Sequence, residues 1–116
     1  MPARSTPCLK KLFCRLNRAW FRGILPSKTI VRWSRTLMRQ NCIGLMENVP
    51  GEIPKITLAW EIHWCHPVVA GTLIHEMAHL SVLAKHGARG AKTHQGLLFQ
   101  KEMLRLAKAG SLKDIW

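Results

Sequence analysis

Leu73-Ile74-His75-Glu76-Met77-Ala78-His79-Leu80 is the stretch from which the rest of the chain can be read. It holds H-E-x-x-H inside an apolar segment of helical period. Histidines four apart share one helix face, about one turn along the axis. Two imidazoles so placed can reach one metal ion, and Glu76, beside the first, can touch a water bound to it. Zinc held by neutral imidazoles lowers the pKa of that water to about 7. A neighbouring carboxylate then takes its proton as it attacks a carbonyl. The chemistry this points to is peptide-bond hydrolysis. A helix with two unrelated histidines explains the pattern poorly, because three polar groups among Leu, Ile, Met and Ala cost free energy unless a partner meets them.

The chain around this motif has 116 residues, enough for one domain with a modest core. No continuous apolar run approaches the roughly 20 residues of a membrane span. Cys8, Cys14, Cys42 and Cys65 form no C-x-x-C pair. That speaks against a zinc ribbon or a disulfide framework and for reduced cytosolic thiols. The charge is lopsided: 18 Lys and Arg face 6 Asp and Glu. Residues 1–46 contain ten of those bases and no acid. A one-sided basic region is the footprint of a phosphate-backbone binder.

Taken in order, residues 1–6 read as a disordered tail. Residues 8–22 read as an amphipathic helix, with Leu9, Leu12, Phe13, Leu16 and Trp20 on one stripe. Lys11, Arg15, Arg18 and Arg22 repeat at the same spacing on another face. Like charges at that spacing mildly destabilise a lone helix, so the stripe suits an anionic partner or is merely tolerated in solvent. An Arg-rich, acid-free start also resembles a mitochondrial transit peptide, but it runs into Gly23-Ile24-Leu25-Pro26 without a cleavable break. Strands are expected at Thr29 to Ser34, Gln40 to Met46 and Lys55 to Ile62, the last alternating cleanly. Asn48-Val49-Pro50-Gly51 is a turn signal. Compact connections predict a small, mostly antiparallel three-stranded sheet. His63 and His66 form only a weak second metal pair. The motif helix is expected from Pro67 to about His86, with Gly87 closing it. A basic loop, Gly87 to Thr93, then leads to a last helix, Gln95 to Ala109.

A hydrolytic zinc site usually has three protein ligands and one open position. His86 lies on the motif helix itself, where it cannot return to the metal without a break. Glu102 stands in a basic helix, where an ion pair at the surface with Lys101, Arg105 or Lys108 is the plainer explanation. His94 sits where loop meets last helix and the chain can return, and it is the favoured third ligand.

Several segments together resemble the SprT-like metalloproteases, the family of the Spartan protease. Leu12 to Pro26 (L-F-C-R-L-N-R-A-W-F-R-G-I-L-P) is similar to the family's opening helix. Ile30 to Met46, with its Trp33-Ser34 pair, looks like its first two strands. Thr72 to Leu80 matches the H-E-x-x-H helix, and Thr93 to Met103 (T-H-Q-G-L-L-F-Q-K-E-M) looks like the H-G-x-x-[FW] element that supplies the third ligand. Carried over, the resemblance implies that His75, His79 and His94 bind zinc and that Glu76 is the general base. It implies a zincin-like (minigluzincin) α+β core and cleavage of proteins attached to DNA. Here Gln95 follows the third His directly and Phe99 comes one place late, so Leu98 is a candidate for the aromatic's position. Many members carry a C-terminal zinc ribbon. None follows here, so any DNA contact is expected from the core, through Lys11, Arg15, Arg18 and Arg22.

The expectation is therefore a monomeric zinc endopeptidase of one domain acting on protein substrates at DNA, single strands included, with no membrane partner. Its place would be the cytoplasm or nucleoid, or the nucleus of a eukaryote. Trp20 or Trp33 could stack on a base, though a core role suits each better. The rival is a catalytically inactive, zinc-containing nucleic-acid-binding module, which would have no use for Glu76.

Overall fold

The computed structural model describes residues 8–49 and 51–110, and the side chains of these except 87–95. Helix α1 spans Leu9–Trp20 and buries Leu9, Leu12, Phe13 and Leu16, the i, i+3, i+4, i+7 stripe of the sequence. It stops because Arg22 and Gly23 turn left-handed, with φ of 54° and 71°. The Gly23 N–H returns to the Asn17 carbonyl at 2.9 Å. Asn17 itself is buried and pins the following loop. Its amide donates to the Leu25 carbonyl at 3.1 Å, and its Oδ1 accepts from the Leu25 N–H at 3.2 Å.

Strands β1 (Ile30–Ser34), β2 (Gly44–Glu47) and β3 (Lys55–Ala59) form the sheet in the order β1-β3-β2. β2 and β3 are antiparallel, with Met46 opposite Ile56. β1 and β3 are parallel, with Trp33 opposite Leu58. The sheet is therefore mixed, not mostly antiparallel. The strands do alternate in direction along the chain, as short connections demand. The segment from Arg35 to Ile43, which holds a 3₁₀ turn at Leu37–Gln40, carries β2 far enough out for β3 to slot between. The second strand is accordingly shorter than the expected Gln40 to Met46. The third also ends early: Trp60–Ile62 is a 3₁₀ turn that steers the chain towards the next helix. The turn after β2 is where Asn48 to Gly51 placed it, with Glu52 N–H on Val49 O at 2.9 Å and Gly51 at φ 84°.

Helical backbone then runs from His66 to Ala109 as α2, without the expected stop at His86. A straight helix of that length would be about 66 Å long and would hold residues 81 and 102 about 30 Å apart. Instead, the Ser81 hydroxyl donates to the Glu102 carboxylate, and the molecule's longest extent is 49 Å. The limbs 66–86 and 96–109 thus lie side by side and the chain reverses direction between them. The side chains of the expected Gly87 to Thr93 loop, and that of His94, fall outside the described residues. Gly110, at φ 96°, ends the second limb as expected.

The first limb, His66–His86, is apolar and long enough to cross a membrane by length and composition. A core helix has the same composition, and here Val69, Leu73, Ile74, Met77, Ala78 and Leu80 are buried against α1, β3 and Leu106 of the second limb.

Candidate metal centre

His75, Glu76 and His79 ride on the first limb of α2, whose inward face is fixed by Leu73, Ile74, Met77 and Leu80. The helical period brings the two imidazoles together, with ring centroids 5.0 Å apart. Glu76 is 7% exposed, and its Oε2 lies 4.0 Å from His75 Nε2. Burial pushes the Glu76 carboxyl up from 4.5 to about 7, against the pull of a hydrogen bond from the Met46 backbone. Burial also lowers both imidazole pKa values, and His75 lowers that of His79 further. Both rings are therefore neutral at pH 7, the form a metal requires. His79 Nδ1 is buried with no hydrogen-bond partner.

Phe99, from the second limb, stacks on His79 at 3.9 Å and meets His75 edge-on at 4.8 Å. It, rather than Leu98, takes the aromatic position. The one-residue lag behind His94 obscured this in the sequence. Glu102 is no competitor for the metal. It is 6% exposed, accepts from Ser81 and, at 2.6 Å, from Arg105 Nε, and has Lys85 Nζ at 3.4 Å. Burial would raise its pKa, but the bonds from Arg105 and Ser81 and the charges of Lys85 and Arg105 hold it below the usual range. Arg105 is the partner the sequence suggested, but Glu102 is buried while its two cations stay exposed. His86 is exposed.

β2, one of the two outer strands, runs beside the motif. It comes so near at Gly44 that a Cβ there would meet Thr72 Cγ2 at 2.7 Å and Glu76 Oε2 at 3.0 Å. Sequence reading missed this residue. The signal, a lone glycine inside a strand, was present but unused. Between β2 and α2 opens a cavity of about 450 Å³, lined by Ile43, Gly44, Val68, Thr72, His75 and Glu76 among others.

Two neutral imidazoles fit two places in the donor set of a zinc site, with Glu76 beside them as a base, and the unpaired His79 nitrogen leaves unmet bonding capacity there. Among the described residues no group of three His, Cys, Asp or Glu could by itself hold a metal. The expected third ligand, His94, lies outside them.

Of the four basic residues expected on one stripe, Lys11, Arg15 and Arg18 line a single hollow of about 560 Å³ with Lys10 and His66. Arg22 does not join them. The helix has ended by Trp20, and Arg22 borders a separate hollow with Lys85 and Arg105.

A protein-family model, that of the SprT-like family, matches residues 9–114. The family is generally linked to metalloprotease-like function and to zinc. Among curated proteins, none matches this sequence.

Proposed function

The chain belongs to the SprT-like family, and from that premise we propose that it is a zinc-dependent endopeptidase of zincin-like build that cleaves proteins bound or crosslinked to DNA. His75, His79 and His94 would hold the ion. Zinc, when bound there, supplies an acidified water and a Lewis acid for the scissile carbonyl. Glu76 would accept the proton of the attacking water at its carboxylate and pass it to the leaving amine. Phe99 packs against both imidazoles and keeps them oriented. The exposed edge of β2 offers backbone groups to an extended substrate, which would add as a further strand. A side chain beside the scissile bond would enter the cavity at Ile43, Val68 and Thr72. Backbone pairing of this kind is sequence-tolerant and suits a peptidase that meets varied proteins at DNA.

One observation carries the reading. In a chain of net charge +12, the buried Glu76 has no Lys or Arg partner among the described residues. Glu102, equally buried, has both Lys85 and Arg105. An acid left without a cation in such a setting suits one that arrives from outside the chain. A nucleic-acid-binding module with a structural zinc would gain nothing from that cost.

The test is cleavage of a loosely folded basic protein, with and without DNA, by the wild type and by Glu76→Gln. DNA-stimulated cleavage that disappears in Glu76→Gln, while zinc stays bound, is the expected result. Cleavage that survives the substitution removes the mechanism. Cleavage indifferent to DNA removes the partner.

A further inference from the structure

The face of the sheet turned away from the candidate metal centre carries a polar hollow. Successive side chains of a strand alternate between the two faces. Ile56 and Leu58 of β3 enter the core, so Thr57 points the other way. There it stands between Arg32 of β1 and Leu45 of β2. Glu47, two residues beyond Leu45, shares that face. The 3₁₀ turn at Leu37–Gln40 packs over β3 at one end, with Leu37 buried. The Thr36 N–H donates to Ser34 Oγ at 3.1 Å and fixes the bend that brings the turn there. The hollow so formed measures about 300 Å³ and is lined by Arg32, Leu37, Gln40, Leu45, Glu47 and Thr57 among others. That is the small end of the range for ligand sites.

Its floor has an unmet hydrogen bond. Thr57 is 5% exposed, and its hydroxyl is buried without a partner. Valine would fill the same space without that cost, so the hydroxyl suits a group that comes from outside the chain. The side chains of Arg32, Gln40 and Glu47 likewise have no hydrogen bond or ion pair among the described residues. Arg32 and Glu47 do not pair with each other. The register sets them two strands across and two residues along, about 12 Å between Cα atoms. Glu47 is also the first acid of the sequence. One wall of the hollow therefore only donates, the opposite wall only accepts, and a hydroxyl and an amide between them do both. Leu37 and Leu45 add apolar surface for a flat body.

We propose that this hollow receives one unpaired guanine of a single-stranded nucleic acid. The proposal rests on the DNA-associated reading above and deepens it by adding a site that reads a base. Guanine is the base with two neighbouring N–H donors, on N1 and N2, at one end and two neighbouring acceptors, O6 and N7, at the other. The donors suit the two oxygens of Glu47, and the acceptors suit the Arg32 guanidinium. The Thr57 hydroxyl and the Gln40 amide complete the set. In a duplex, N1 and N2 are taken by the paired cytosine, so the site favours single strands. Arg39, exposed on the same 3₁₀ turn, is at hand for a flanking phosphate. Trp20 and Trp33, the stacking candidates of the sequence, are half-buried against the core.

The test is anisotropy titration of three labelled oligothymidines: one unmodified, one with guanine at the central position, and one with hypoxanthine there. The proteins are wild type, Thr57→Val and Glu47→Ala. The quantity read is the preference for guanine over thymine, in which general attraction to phosphates cancels. A bidentate base contact is worth about 5- to 150-fold in discrimination. Wild type should show a preference of that size, with hypoxanthine, which lacks the N2 donor, in between. Thr57→Val should lower the preference without lowering Tm. Glu47→Ala removes a negative charge, which by charge alone tightens binding to every strand; it should instead abolish the guanine preference. Equal binding of the guanine and thymine strands by wild type would overturn the site and leave the DNA reading standing. A preference that survives both substitutions, or survives annealing to a complementary strand, would also overturn it. Guanosine monophosphate displacing the guanine strand at equal concentration would overturn the strand as occupant in favour of a free nucleotide. Wild type binding none of the strands would remove both the site and the reading beneath it.

Discussion

Replacing Glu76 by Gln should stabilise the metal-free protein above neutral pH, by an amount set by the burial of the carboxylate. Burial raises the Glu76 pKa from 4.5 to about 7 in the folded chain. A folded-state pKa above the unfolded one means that the native protein holds this proton more tightly. Below pH 4.5 the group is protonated in both states and imposes no penalty. Between 4.5 and 7 the unfolded chain ionises first and stability falls as pH rises, reaching a plateau above 7. At about 1.36 kcal/mol per pKa unit, the plateau penalty is about 3 kcal/mol. Gln is neutral and nearly isosteric, and its side-chain oxygen can still accept from the Met46 backbone. In metal-free protein, Glu76→Gln should gain about 3 kcal/mol at pH 8.5, on the order of 10 °C in Tm for a chain of this size, and less than about 1 kcal/mol at pH 5. Urea and thermal unfolding of chelator-treated protein at both pH values measures this. The lowered imidazole pKa values of His75 and His79 act on both proteins alike and largely cancel in the difference. Saturating zinc should narrow the gap, since a nearby cation favours the charged carboxylate. A gain independent of pH, or no gain at pH 8.5, would refute the claim that the acid is held at an energetic cost.

Gly44→Ala forces its Cβ against Thr72 Cγ2 and Glu76 Oε2. It should cost about 1–3 kcal/mol in urea unfolding. Adding Thr72→Ser, which removes the nearest methyl, should recover part of that loss. Glu102→Ala leaves the buried Ser81 hydroxyl without its acceptor and frees the exposed Arg105 and Lys85, and should cost about 1–3 kcal/mol. Because the Glu102 pKa is lowered on folding, its contribution should be intact at neutral pH and fade as pH falls through the folded value. A Glu102→Ala penalty that persisted undiminished in acid would contradict this. In metal analysis of purified variants, His75→Ala, His79→Ala and His94→Ala should each lower zinc stoichiometry, while His86→Ala should not.

Local periodicity made much of this architecture legible. Leu9, Leu12, Phe13 and Leu16 marked α1, and Ile56 and Leu58 marked the inward face of β3. The apolar neighbours of His75 and His79 marked the first limb of α2. Strand order was not legible, because pairing Trp33 with Leu58 is a long-range choice that leaves no local trace in either strand. Glu102 looked superficial because its partners Ser81 and Lys85 lie on the other limb, and only the reversal of α2 brings them near. The approach of β2 to Glu76 was hidden likewise. Gly44 marks it in the sequence, but nothing local says which helix the strand will meet.

X-ray absorption at the zinc edge of the reconstituted, desalted protein addresses the centre itself. The account predicts one tightly held ion with an imidazole-rich nitrogen and oxygen shell at about 2.0–2.1 Å, a shell that persists in Glu76→Gln. No retained zinc, or a sulfur shell at about 2.3 Å drawn from the cysteines, would contradict it.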